Sequence, residues 1–328
     1  MLNEINREKN DVVYQIEDNA DTAVSRYILS TSETRTICND PLVMGYDYTE
    51  KLEKACATFF RLTQKLTAME LQEKRSVVFN ILRGGLNFGL RGALAKALGW
   101  NNHNSCFVTA QRARITEGSE QWHITEDDYK KITFPQRAQI IIGDVVATGT
   151  SLKHALDIMI KEAVKQGIEL SSILFFTIGG PMSEKRLIEA DEACRRHFPH
   201  YEGTHVCYIE GRFFVPTAES KVAIKITGTD LMRCNSLLAP EFIESNFKAP
   251  SYPLERCTIY DAGSRAFQLK EYLEDVVEYW TKVLALSKTV TFEDMMVERF
   301  PEIDISRFGD VSLEQVAEDQ LQKLSSVS

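Results

Sequence analysis

Short apolar runs alternate with amphipathic stretches along most of this chain. Ser76-Val-Val-Phe-Asn-Ile-Leu82, Asn104-Ser-Cys-Phe-Val-Thr-Ala-Gln-Arg-Ala-Arg-Ile115, Gln139-Ile-Ile-Ile-Gly143, Ser171-Ser-Ile-Leu-Phe-Phe-Thr-Ile178 and Thr204-His-Val-Cys-Tyr-Ile-Glu210 have the length and composition of buried strands. Between them the period changes to helical. Tyr48 to Glu73 carries Leu52, Ala55, Cys56, Phe59, Phe60, Leu66 and Met69 on one broad face, with Thr49 as N-cap. Leu86 to Leu98 predicts a helix ended by Gly99, and Leu152 to Ile160 a helix directly after a strand. Ser183 to Phe198 predicts another, with Ser183 as N-cap and Pro199 beyond its end. Strands alternating with helices predict an α/β fold: an open, mostly parallel twisted sheet with helices on both faces.

The two ends of the chain break this rhythm. Residues 1–45 are polar and irregular, with short apolar pieces such as Tyr27-Ile-Leu29. Lys221 to Leu231 reads as a further strand closed by Thr227-Gly-Thr-Asp230. From about residue 240 two or three helices follow. One has a stripe of Phe267, Leu269, Tyr272, Leu273, Val276, Trp280, Val283 and Leu284, and the last opens on the capping box Ser312-Leu-Glu-Gln315. That region carries no evident chemistry.

Composition narrows the function. With 328 residues, 44% of them hydrophobic, the chain can form a main domain of about 200 residues plus additions. A formal charge of -9 argues against a broad basic face for nucleic acid. The opening residues lack an apolar core, and no run of 18 or more apolar residues occurs, so neither a signal peptide nor a membrane span is expected. Cys38, Cys56, Cys106, Cys194, Cys207, Cys234 and Cys257 are scattered and odd in number, which fits free thiols in a reducing, cytoplasmic setting.

The strongest chemical signal follows the strand at 139–143. Asp144, Val145, Val146, Ala147, Thr148, Gly149, Thr150 and Ser151 lead straight into the helix at Leu152. Strand, small polar turn and helix make an anion site: the helix start presents unpaired amides, and Thr148, Thr150 and Ser151 add hydroxyls. Gly149 lets the main chain come close to a ligand. An acid beside a phosphate cradle makes sense when the ligand also carries a sugar diol, because a carboxylate accepts hydrogen bonds from hydroxyls. Arg83-Gly84-Gly85 repeats the strand, glycine turn, helix pattern, and a guanidinium can clamp a diphosphate. Other chemistries fail on pattern. No lysine follows Gly149 as a Walker loop requires, and neither Gly-x-Gly-x-x-Gly nor Gly-x-Ser-x-Gly occurs. Cys194, His197, His200, His205 and Cys207 match no standard zinc spacing.

The stretch 139–151 resembles the phosphoribosyl diphosphate (PRPP) signature of the type I phosphoribosyltransferases. Gly143 departs from it, standing where the first of two acids is usual; one branch of that family keeps a single acid. The resemblance implies transfer of a 5-phosphoribosyl group from PRPP to a nitrogenous acceptor, with diphosphate released and Mg2+ as cofactor. Asp144 would hold the ribose and stabilise its cation, Val145 and Ala147 would line the site, and Thr148, Gly149, Thr150 and Ser151 would anchor the 5′-phosphate. Arg83, Gly84 and Gly85 would take the diphosphate. A lid in the long polar connection 116–136 would bring in Arg112, Arg114, Lys130 and Lys131, and a hood would place Phe213, Phe214 and Asp230 near the base. It also implies a homodimer. On this basis the chain divides into an N-terminal segment 1–45 that packs over the main domain or joins the hood, a core and hood over 46–235, and a helical extension over 236–328. The acceptor is not named by any residue pattern. A non-catalytic PRPP or nucleotide sensor on the same fold, and an enzyme acting on a different phosphosugar, are the alternatives.

Overall fold

A computed structural model describes residues 1–328 apart from 18–21, 65, 67–68, 115–121, 127, 257–261 and 328. The chain opens with β1 (Leu2–Glu8), β2 (Asp11–Ile16) and β3 (Val24–Ser30), an antiparallel meander. Helices α1 (Ser32–Asn39) and α2 (Gly45–Thr63) follow, then β4 (Ser76–Leu82). A 3-10 turn at Gly84–Phe88 leads to α3 (Leu90–Leu98) and β5 (Asn104–Thr109). The long polar connection holds a hairpin of β6 (Gln111–Arg114) and β7 (Trp122–Glu126), then the short β8 (Lys130–Lys131). After it come β9 (Arg137–Val146), α4 (Thr150–Gln166), β10 (Glu169–Gly179), α5 (Pro181–His197), β11 (Gly203–Phe214) and β12 (Met232–Leu238). The chain ends in α6 (Pro240–Ser245), α7 (Ala262–Phe267), α8 (Leu269–Leu286), α9 (Phe292–Arg299) and α10 (Leu313–Ser325).

The main sheet has the order β1-β2-β3-β11-β10-β9-β4-β5-β8, with β12 pairing β11. Its centre, from β3 through β11, β10, β9 and β4 to β5, is parallel throughout. Antiparallel strands at both edges make the whole sheet mixed. The central strands are apolar without alternation because helices cover both faces. Ile140, Ile141 and Ile142 of β9 and Phe175 and Phe176 of β10 are completely buried. Helix α3 packs on α2, and α4 packs on α5. Phe59 and Phe60 of α2 meet Phe176 edge to face at 5.0 and 5.4 Å, joining that helix to the middle of the sheet.

Several local expectations change. Residues 1–45 are largely regular: Val12, Val13, Ile28 and Leu29 are buried in the sheet. Helix α2 begins at Gly45 behind Met44, and Thr49 turns its hydroxyl back to the Tyr46 carbonyl at 2.9 Å instead of capping. Helix α5 begins at Pro181, which supplies a helical φ and lacks an N–H that would go unpaired there. Ser183 is therefore inside the first turn, donating to the Gly180 carbonyl at 2.7 Å. Residues 221–231 form turns rather than a strand. Gly228 has φ +72° and Asp230 accepts from the Ile226 amide at 2.6 Å, and pairing resumes only at Met232. At the last helix Ser312 does cap, accepting from the Gln315 amide at 3.3 Å. Cys56, Cys106, Cys194, Cys207 and Cys234 are buried and free, Cys38 is buried, and Cys257 lies outside the described residues. No helix among the described residues is long and apolar enough to cross a membrane.

Candidate functional site

Strand order places the site. From β4 the chain passes through α3 to β5 on one side; from β9 it passes through α4 to β10 on the other. Neighbouring parallel strands whose connections leave in opposite directions form a topological switch point, and a crevice opens there at their carboxyl ends. The β4–β9 ladder covers Ser76↔Gln139 to Val78↔Ile141 and then stops. The turn at Gly84–Phe88 folds into the gap beyond it. Both glycine-turn motifs read from the sequence therefore meet at this point.

Their contact leaves no room for side chains. A Cβ on Gly85 would lie 3.1 Å from the Gly143 carbonyl oxygen, and one on Gly84 would lie 2.6 Å from Asp144 Oδ1. The ribose candidate Asp144 and the diphosphate candidate Gly84 are thus neighbours in space, though 60 positions apart in sequence. Asp144 is half-buried, and its Oδ1 accepts from the Val145 amide at 2.9 Å. Gly143 also has a packing reason. A Cβ there would fall 2.5 Å from Phe88 Cγ and 2.7 Å from Phe88 Cβ. Phe88, fully buried, occupies the space that a first acid would need.

Beyond Asp144 the chain turns through Ala147, which is buried, and Thr148, whose hydroxyl lies 3.3 Å from that of Thr150. Gly149 has φ +72°, a left-handed conformation that suits glycine, and begins α4. The N-cap of α4 is Gly149, which has no side chain to cap the helix, and the first turn carries no acidic residue. The amides of Thr150, Ser151 and Leu152, with the positive end of the helix dipole, suit an anion. Val145 is half-buried and packs on the core, so its contribution to the turn is main-chain.

Arg186 of α5, which the sequence reading missed, borders the same turn. Its side chain lies over the Gly149 turn: a Cβ on Gly149 would meet Arg186 Cγ at 2.9 Å. Nη1 pairs with both oxygens of Glu189 at 2.8 and 3.0 Å. Nε is buried and has no hydrogen-bond partner among the described residues. The signal in sequence was faint: an arginine one turn into a helix that follows Gly179-Gly180-Pro181 on the neighbouring strand.

The sequence matches no protein-family model and no curated protein. Among solved structures the chain is similar to a hypoxanthine-guanine phosphoribosyltransferase from Bacillus anthracis, at 15% identity over 50% of this chain and 75% of that one, with a TM-score of 0.26. It is also similar to a mutant hypoxanthine phosphoribosyltransferase from Trypanosoma cruzi complexed with the product IMP, at 13% identity over 62% of this chain and 93% of that one, TM-score 0.27. The ternary substrates complex of the Trypanosoma cruzi enzyme aligns at 14% identity and a TM-score of 0.23, over 64% and 92% of the two chains. Likeness at this level carries no part of the functional argument, which stands on the chain's own geometry.

Arg83 is exposed at the mouth of the crevice, and its Nη2 donates to Gln268 Oε1 at 2.7 Å. The lid residues divide. Lys130 is paired with Glu162 at 2.9 Å. Glu162 lies 12 residues along α4 from Thr150, roughly 18 Å at the helical rise, so Lys130 is far from the Gly149 turn. Lys131 is exposed on the same short strand, opposite Phe107 of β5. Arg112 and Arg114 lie on β6 opposite Ile124 and Trp122, and their side chains fall outside what is described. The connection expected to be an irregular lid is in part a hairpin packed on α4.

The hood residues are engaged in the fold. Phe213 is completely buried, edge to face with Phe242 at 6.0 Å. Asp230 is 2% exposed and ion-pairs with Arg256, whose Nε donates to Oδ1 at 2.9 Å. Phe213 and Asp230, for which the sequence suggested a base site, are thus engaged in contacts within the protein. Phe214 is half-buried, and its amide donates to Ser236 Oγ at 2.8 Å. Nearby, Glu210 is fully buried at φ +61° and accepts hydrogen bonds from the Thr34 hydroxyl and, at 3.2 Å, from the Thr31 amide. Burial raises its carboxyl from an ordinary value near 4.5 to about 7, against the pull of these donors.

Proposed function

We propose that the chain is a phosphoribosyltransferase: it transfers the 5-phosphoribosyl group of PRPP to a nitrogenous acceptor and releases diphosphate. One observation carries this proposal. At a topological switch point, Asp144 lies beside the Gly84 turn on one side and leads on the other into α4, whose N-cap is Gly149. A ligand spanning both turns needs an anionic group at each end and hydroxyls between them, the layout of PRPP.

The residues have separable tasks. The amides of Thr150 and Ser151, with the hydroxyls of Thr148, Thr150 and Ser151, hold the 5′-phosphate. Arg186 Nε, buried beside Gly149 without a partner among the described residues, adds a donor at that end. Asp144 accepts from the ribose hydroxyls and stabilises the positive charge that develops at C1. Arg83 and the Gly84 amide take the departing diphosphate. Asp144 together with the substrate's own diphosphate oxygens is an all-oxygen donor set of the kind Mg2+ prefers. When bound, the ion would neutralise charge on the leaving group.

Asp144→Asn tests the assignment. Removing a charge aimed at a developing cation should lower diphosphate release by about 100-fold or more, with unchanged thermal stability. Turnover near that of the wild type would remove Asp144 from the mechanism. A second reading, a PRPP or nucleotide sensor without turnover, is favoured by Phe88, which fills the place of the first acid. PRPP binding without diphosphate release, across a panel of bases, would select it.

A further inference from the structure

We infer that Gln268, in the C-terminal helical extension, is a positioning residue that sets Arg83 over the diphosphate turn. The inference rests on the phosphoribosyl reading of that turn and extends it to a region with no evident chemistry in its sequence. Arg83 follows β4 and is exposed, so its side chain would otherwise sample many rotamers. Its Nη2 donates to Gln268 Oε1 at 2.7 Å. The amide of Gln268 is oriented in turn, because its Nε2 donates to Glu271 Oε1 at 3.2 Å. That bond turns the oxygen toward the guanidinium. A guanidinium has five N–H donors, and the Gln268 contact occupies one.

The support behind Gln268 is rigid. It precedes α8, and its amide donates to the Ser264 carbonyl at 2.9 Å. One position further on, Arg265 is completely buried and donates to the carbonyls of Val43 at 2.7 Å, Asp40 at 2.8 Å and Ile37 at 3.2 Å. The same guanidinium lies over the rings of Tyr48 and Tyr272, at 4.8 and 5.6 Å. Tyr272 donates to the Pro41 carbonyl at 2.6 Å. Helix α7 itself packs against the Gly84–Phe88 turn. The extension is thus anchored to α1, α2 and the segment between them, and Gln268 is the point at which it reaches the crevice.

Isothermal titration with inorganic diphosphate in Mg2+, and separately with ribose 5-phosphate, tests this in the wild type, Gln268→Ala, Arg83→Ala and the double variant. Gln268→Ala should weaken diphosphate about tenfold, the scale of one hydrogen bond to a charged group, and leave ribose 5-phosphate unchanged. In the Arg83→Ala background it should add nothing, because Gln268 acts through Arg83. Equal loss of both ligands, no loss, or an additive loss in the double variant would overturn the role of Gln268. A wild type that binds neither these ligands nor PRPP would overturn the phosphoribosyl reading and this inference together.

Discussion

Asp144, near the end of β9, and Asp230, just before β12, both lie near the carboxyl edge of one sheet, and both look like ligand-binding acids in sequence. The regions around them differ. Beside Asp144 the neighbours are glycines and the amino end of α4, whose N-cap is Gly149, so main-chain amides face the crevice. Around Asp230 the hydrogen-bonding capacity is spent within the protein, on the Ile226 amide and the buried Arg256 guanidinium. The same holds for Phe213, packed on Phe242, and for Glu210, bound to the N-terminal turn of α1. An acid at a strand end is the better site candidate where glycines and helix amides surround it than where it is paired with a buried guanidinium.

Three substitutions can break that comparison. Asp230→Ala has the largest expected effect. It strips a buried guanidinium of its carboxylate, which should cost about 3–5 kcal/mol of stability. Chemical denaturation would measure the loss, and PRPP affinity of the folded fraction should not change. A variant as stable as the wild type would erase the distinction between the two aspartates.

Glu210 should give the next largest effect, as a pH dependence. Its folded carboxyl titrates near 7, above the ordinary value near 4.5. The folded state therefore holds the proton more tightly, and stability falls as pH rises from 4.5 through 7. The total is roughly 3 kcal/mol, levelling off above that range. Glu210→Gln should flatten denaturation midpoints across this interval, and an unchanged slope would contradict the assignment. Smaller still is Gly143→Ala. Its methyl would press on Phe88, and overpacking of this kind costs about 1–3 kcal/mol. A thermal melt indistinguishable from wild type would mean that Phe88 does not fill the first-acid position.

The central strands and the helices between them were legible because their period persists over many residues. Ile140 to Ile142 and Phe175–Phe176 mark fully buried strands on any register. The motifs at Arg83–Gly85 and Asp144–Ser151 were legible as turns, but their meeting was not, since strand order alone brings β4 beside β9. The strands in residues 1–45 escaped notice because their apolar runs are short and their partners, β11 and one another, are non-local or weakly patterned. That Arg186 and Gln268 come near the crevice is a tertiary fact with no local trace. Aromatic and acidic residues near a strand end, such as Phe213 and Asp230, look alike in sequence whether they face a ligand or the core.

Titration of the wild-type protein with PRPP in the presence of Mg2+, followed by assay of diphosphate release with a panel of bases, tests the central claim most directly. Saturable PRPP binding, with diphosphate released when one of the bases is supplied and the release lost in Asp144→Asn, is the predicted result. Absence of PRPP binding would contradict the assignment of the β4–β9 crevice.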